Sequence, residues 1–271
     1  MGIFKIMDIN IEERKRKEIE YYEAQAKRWP KEATNERWKG DFEGFNPQVL
    51  LSFRFFYKLL AKHALGKKVL DYGCGNGIHS IFPAKQGAEV IGIDLSEPSL
   101  HIASERARKE GVGNKVSFIA MDCESLTFPD NSFDTIMDGG TFSSLDVQKA
   151  LPELARVLKP DGAVIGIETL GHNPFTNFKR ILNKRAGKRT EWAAKHIFTM
   201  QDLERAKHYF TNVEAHFFHV ISWAAFPFLR LAGGKFLLQL LEGADQLLLL
   251  FPFLRRYAFK VVFIFSAPKK P

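Results

Sequence analysis

The stretch Val69-Leu-Asp-Tyr-Gly-Cys-Gly-Asn-Gly-Ile-His-Ser80, followed by Val90-Ile-Gly-Ile-Asp94, decides the fold of this chain. The apolar run ending in Asp71 reads as a buried parallel strand, Gly73, Gly75 and Gly77 as a tight strand-to-helix turn, and Asp94 as the acid closing the next strand. A ligand can approach the backbone only where no Cβ intrudes, and such turns often demand positive φ, so glycines are expected there. An acid about twenty residues further on can accept hydrogen bonds from ribose hydroxyls. The pattern is that of a nucleoside-binding βαβ unit.

The dinucleotide fingerprint G-x-G-x-x-G brings a helix N-terminus to a pyrophosphate through its third glycine. Here that third position is Ile78 and the glycines run G-x-G-x-G, which disfavours a nicotinamide or flavin dinucleotide. The string from Val69 to Gly77 instead resembles motif I of the class I S-adenosylmethionine-dependent methyltransferases. Met121-Asp-Cys123, Phe133-Asp-Thr-Ile136 and Leu158-Lys-Pro-Asp-Gly162 follow in the order of that family's later markers. The likeness extends over residues 47–220 and is nearest to the ubiquinone-biosynthesis-like group of small-molecule methyltransferases.

Strands are expected over Lys68–Tyr72, Val90–Asp94, Val116–Met121, Thr135–Met137 and Ala163–Glu168, alternating with helices. Asn212–Val220 and Ala258–Ser266 read as two further strands. The resemblance makes the fold an α/β, Rossmann-like doubly wound sheet of seven strands with an antiparallel last strand. Ahead of it, a helix from Asn10 to Trp29 ends at Pro30, and a second opens with Asn46 as cap and Pro47 at its first position, stopping at Gly66. Ser96 is expected to cap another helix.

No linker divides the chain, so residues 1–271 are expected to form a single domain. Its parts are an N-terminal helical cap (1–66), a cofactor-binding core (67–168), a lid segment (169–199) and a C-terminal part (200–271) with an insertion at 221–257. The insertion is rich in Phe and Leu, and Phe236, Leu237, Leu240, Leu241, Leu247 and Leu248 are expected on one side of a helix. A buried cap, an apolar acceptor pocket and peripheral membrane contact are the three readings of it.

The formal charge is +8, and the chain has only two cysteines, Cys74 and Cys123. Two thiols without secretory context give no disulfide framework or metal cluster, and no signal-type or membrane-spanning stretch is found, so a cytoplasmic location is expected. The basic pairs Lys179-Arg180, Lys184-Arg185 and Lys188-Arg189 suit a solvated face or phosphate contacts.

The resemblance implies S-adenosylmethionine as cofactor and S-adenosylhomocysteine as product. It places Gly73, Cys74 and Gly75 where backbone meets ligand, Asp71 at the methionine amino group, Asp94 at the ribose and Asp122 at the adenine amino group. Leu95 and Cys123 would flank the adenine ring, and Asp138 and Gly139 would close the methionine end. Tyr21, Tyr22, Trp29 and Phe142 are candidates to stabilise the sulfonium by cation–π attraction.

Relatives that methylate small molecules often carry a His shortly after the acid of strand four, where Ser143 stands here. A general base is therefore expected elsewhere, from His172, His196 or Glu168, with the remaining histidines, His79 among them, in structural or surface roles. The segment Asp138-Gly-Gly-Thr141 lacks the Pro-Pro-aromatic grip for a flipped base, which argues against DNA. The expected activity is methyl transfer to a small-molecule or lipid-linked acceptor, oxygen favoured. RNA methylation, a non-catalytic cofactor-binding regulator and a fold reused for decarboxylation or cyclisation are the alternatives, and monomer and homodimer both stay open.

Overall fold

The computed structural model describes residues 13–28, 49–174, 177, 181 and 190–270. Asn10, Trp29, Pro30, Asn46, Pro47 and the basic pairs between Lys179 and Arg189 lie outside the described residues.

Seven strands form one sheet in the order β3-β2-β1-β4-β5-β7-β6. In chain order they are β1 (Lys68–Tyr72), β2 (Glu89–Asp94), β3 (Val116–Ala120), β4 (Phe133–Asp138), β5 (Leu158–Thr169), β6 (Phe210–Phe218) and β7 (Lys260–Pro268). The first five run parallel, and β7 pairs antiparallel with both β5 and β6. Strands buried on both faces need unbroken apolar sequence, and Val69-Leu70 with Ile136-Met137 supply it. β5 begins earlier than its apolar run, because Leu158 already pairs with Phe133 across a register shift.

The helices are α1 (Glu13–Arg28), α2 (Leu51–Ala64), α3 (Ile81–Lys85), α4 (Glu97–Lys109), α5 (Val147–Val157), α6 (Glu191–Lys195), α7 (Met200–Tyr209) and α8 (Gly234–Leu248). α2 stops before Gly66, which takes φ of 64° as a left-handed terminus requires. Ser96 caps α4 by accepting the Ser99 N–H, and Thr199 and Asp202 form a capping box on α7. One apolar core lies between the sheet and α5 with α7, centred on Leu154, Phe198 and Phe263. The other lies under α2, where Phe53, Phe56 and Leu60 meet Ile165 and Val262.

The insertion's six apolar side chains do share one side of α8, but that side is not buried. α8 turns Leu238 inward with Leu237 and Leu241 at its margin, while Phe236, Leu240 and Leu247 are exposed. At about 3.6 residues per turn the six lie within an arc of roughly 140°, and α8 is set with Leu238, Glu242 and Asp245 inward, which turns the apolar arc outward.

Candidate active site

Parallel strands of an open sheet end in a crevice at their carboxyl edge, where the strand order reverses beside β1. A cavity of about 660 Å³ occupies this place, within the roughly 300–1,000 Å³ range of small-molecule sites. Its floor is the elbow after β1. Gly73, Gly75 and Gly77 take φ of 70°, 50° and 71°, values that favour glycine. A Cβ on Gly73 would meet Thr141 Cγ2 at 2.3 Å and one on Gly77 would meet Ala103 Cβ at 2.7 Å, whereas one on Gly75 would have nothing within 4 Å. The outer two glycines let neighbours pack, and the middle one leaves the backbone open to the crevice.

Asp94, at the end of β2, fixes that elbow. Its Oδ2 accepts the Gly75 N–H at 2.9 Å and its Oδ1 accepts the Ser96 N–H at 2.8 Å. Burial raises its pKa, while these backbone donors pull it down. Asp94 also faces the cavity. Asp71 lies beneath the elbow rather than in the cavity wall: it is fully buried, accepts the Ser80 hydroxyl at 2.5 Å, and is pushed up to about 7 by burial.

The far wall begins after β3. Asp122 Oδ1 accepts the Glu124 N–H at 2.9 Å and its Oδ2 holds Lys15 Nζ at 2.6 Å. Arg14 grips both oxygens of Glu124 at 2.6 and 2.7 Å, so α1 is clamped across the mouth. From α1, Lys15, Glu18, Ile19, Tyr22 and Gln25 face the cavity. Tyr22 reaches Ser144 at 3.0 Å, while Tyr21 lies off the wall and accepts a hydrogen bond from Gln25. Leu95, Cys74 and Cys123 also line the cavity, both thiols raised well above their ordinary range by burial.

At the end of β4, Gly139 and Gly140 line the cavity but Asp138 is buried behind them. Its Oδ1 accepts the Thr141 N–H at 2.9 Å, and its Oδ2 has no hydrogen-bond partner among the described residues. Burial, together with the charge of Glu168, pushes Asp138 well above the ordinary carboxylate range. Glu168 is itself buried and accepts the Phe142 N–H at 2.6 Å, which orients the loop after β4. Phe142 is fully buried against Tyr72 and Phe198, away from the wall.

The histidines are arranged differently from the sequence expectation. His172 accepts the Met200 N–H at 3.4 Å and His196 stacks on Trp192 with ring centroids 3.5 Å apart; neither is in the cavity wall. The wall histidine is His79. Its Nδ1 is 2.7 Å from the Tyr57 hydroxyl, its ring stacks on Phe53 at 6.0 Å, and Gly139 leaves it space, since a Cβ there would lie 2.5 Å from His79 Cδ2. Burial, with Lys260 and Arg106 adding repulsion, holds its pKa down to about 4, so the ring is neutral at physiological pH. Sequence reasoning passed over His79 because its partners come from α2 and β7. The one available signal was its place two residues after the last elbow glycine.

The sheet order, the antiparallel β7, the glycine elbow and the acid ending β2 are those of the Rossmann-like fold shared by class I S-adenosylmethionine-dependent methyltransferases. Comparisons with known proteins agree: residues 69–162 match the family described as a methyltransferase domain. The chain is 36% identical over 105 residues to a demethylmenaquinone methyltransferase of Bacteroides fragilis, covering 38% of this chain and 43% of that protein. It is 34% identical over 128 residues to the sterol 24-C-methyltransferase erg6 of Aspergillus fumigatus, covering 41% of this chain and 33% of that protein. The chain thus spans less than half the length of these two relatives. A geranyl diphosphate C-methyltransferase from Streptomyces coelicolor A3(2) shares the fold at 15% identity and TM-score 0.60, covering 96% of this chain and 99% of that one.

Proposed function

We propose that this protein transfers the methyl group of S-adenosylmethionine to a small-molecule or lipid-linked acceptor. The observation that carries the reading is Asp94 fixed 2.9 Å from the Gly75 amide beside an elbow that opens into the cavity. The residues suit the cofactor: Asp94 can meet the ribose hydroxyls, and the open face of Gly75 admits the nucleoside. Leu95 and Cys123 give apolar flanks to a ring, and Asp122 supplies an acceptor beside it. Tyr22 and Gly139 also line the cavity.

When bound, the cofactor supplies an electrophilic methyl group on a sulfonium. The chain's share is chiefly alignment, holding an acceptor atom at about 3 to 3.5 Å in line with that carbon. α1 excludes water from the mouth through its Arg14 and Lys15 clamps. We assign to His79, rather than to His172 or His196, the wall position that can hydrogen-bond the acceptor, with Tyr57 fixing its ring. Glu168 serves by positioning the loop at Phe142.

Oxygen is the acceptor atom favoured by the sequence reading. Carbon is the second reading, favoured by relatives that are C-methyltransferases by name. Incubation with methyl-labelled cofactor and a panel of hydroxylated and prenylated acceptors, followed by mass spectrometry of the product, separates the two. Absence of cofactor binding by calorimetry overturns the whole reading. With His79→Gln, turnover is expected to fall at least about tenfold while cofactor affinity is unchanged.

A further inference from the structure

We infer that the insertion Ile221–Tyr257 docks the protein onto an anionic lipid surface. The inference stands on this surface alone and, joined to the reading above, brings a lipid-linked acceptor to the site.

A helix on a protein surface ordinarily turns its apolar stripe to the core and its polar residues to water. α8 departs from this on both faces. Phe236, Leu240 and Leu247 form its outer crest, 71%, 61% and 67% exposed, and Leu250, Phe251 and Phe253 extend the exposed apolar surface beyond its end. On the inner face are the insertion's two acids, Glu242 and Asp245, 4% and 3% exposed. Glu242 accepts the Leu51 N–H at 2.7 Å and pairs with Arg54, and Asp245 accepts the N–H groups of Ile221 and Ser222.

With both carboxylates turned inward, every exposed charge of the insertion is basic: Arg230, Lys235, Arg255 and Arg256. An apolar crest fringed by cations matches acyl chains beneath anionic headgroups, with the long basic side chains reaching the headgroup level. A second copy of the chain fits poorly, since a two-fold contact would set these cations against their own counterparts. No helix among the described residues is long and apolar enough to cross a membrane, so the surface lies on the bilayer.

The insertion joins the end of β6 to the start of β7. Phe218 and Thr169 both pair with Lys260, so it hangs from the sheet edge at which β5 ends and the cavity opens. A docked bilayer would therefore lie at the edge through which an acceptor enters.

Co-sedimentation tests this, with vesicles of phosphatidylcholine mixed with phosphatidylglycerol compared with phosphatidylcholine alone. The wild-type protein is expected to pellet with the mixed vesicles and to be released by high salt. Phe236→Gln with Leu240→Gln and Leu247→Gln should lower the partition coefficient at least about tenfold. Phe251→Gln with Phe253→Gln, which leaves α8 untouched, should lower it too, and Arg255→Gln with Arg256→Gln should abolish the anionic preference. Calorimetry with the cofactor, run on the same proteins, separates a failure here from a failure of the methyltransferase reading. Wild-type protein that stays in solution with both vesicles overturns the inference. So does a dimer that dissociates in the triple variant without any vesicle binding, which would assign the face to a second copy.

Discussion

Asp94 and His79 show how much one side chain decides at this site. Asp94 accepts backbone N–H groups of Gly75, Leu95 and Ser96 and faces the cavity, where its oxygens can also meet the ribose hydroxyls. Asp94→Asn would replace one acceptor with a donor, and at about 1.5 to 3 kcal/mol for a hydrogen bond to a charged group, cofactor affinity should drop roughly ten- to hundredfold by calorimetry. His79 leaves a mark on pH dependence. Its folded pKa of about 4 lies below the ordinary histidine value of 6.5, so the unfolded chain takes up a proton that the folded protein refuses. Its contribution is present above about 6.5 and is lost as pH falls towards 4. His219, held down to about 3, acts in the same sense. Asp71, raised from 3.8 to about 7, acts oppositely, its contribution present below 3.8 and lost as pH rises through about 7. The test is therefore a difference: between pH 7 and 5, chemical denaturation should show His79→Gln losing less stability than wild type by on the order of 2 kcal/mol.

Among elements, α1 is held by charge where the other helices are held by apolar packing. Its inner face carries Lys15, Glu18, Tyr22 and Gln25, and its hold on the core comes largely through Arg14 and Lys15 at Glu124 and Asp122. Partly buried, charge-assisted pairs can hold a cover in place while allowing it to open. Arg14→Met with Lys15→Met should speed cofactor dissociation several-fold in stopped-flow measurements. The melting temperature should move little, because the main cores do not include α1. The composition of α1 announced a polar helix, but not which loop it grips, since Glu124 is 110 residues from Arg14. Likewise the Phe and Leu content of the insertion was plain, while its division into an inward and an outward face depended on where α2 and β6 receive it.

For the molecule as a whole, the sheet depends on β7, which lies between β5 and β6 and is keyed to β5 at one glycine. Gly166 of β5 lies under the ring of Phe263 of β7, and a Cβ there would come 2.1 Å from Phe263 Cζ. Phe263 is fully buried and stacks on Phe198 and Phe265, at 5.1 and 4.4 Å, so it cannot yield. Gly166→Ala should cost about 1 to 3 kcal/mol in urea unfolding. A ligand that binds only the folded chain adds stability by mass action. At a hundred times its dissociation constant, S-adenosylmethionine should contribute about 2.7 kcal/mol, roughly 5 to 10 °C in melting temperature.

Local sequence carried the βαβ unit unaided. The elbow glycines, the apolar strands and the acid ending β2 are contiguous, and each is dictated by backbone sterics or by the need of a buried strand for apolar residues. It also carried the Ser96 cap and the order of the strands along the chain. Tertiary structure alone decided which side chains share the cavity. His79 became part of the wall because α2 brings Tyr57 and Phe53 to it. Asp71 and Asp138 were withdrawn beneath the wall, His172 and His196 were left outside it, and α1 was clamped over the mouth. The physical reason is range: dihedral preferences and side-chain periodicity act over a few residues, whereas burial, desolvation and ion pairing depend on groups that only the closed sheet brings together.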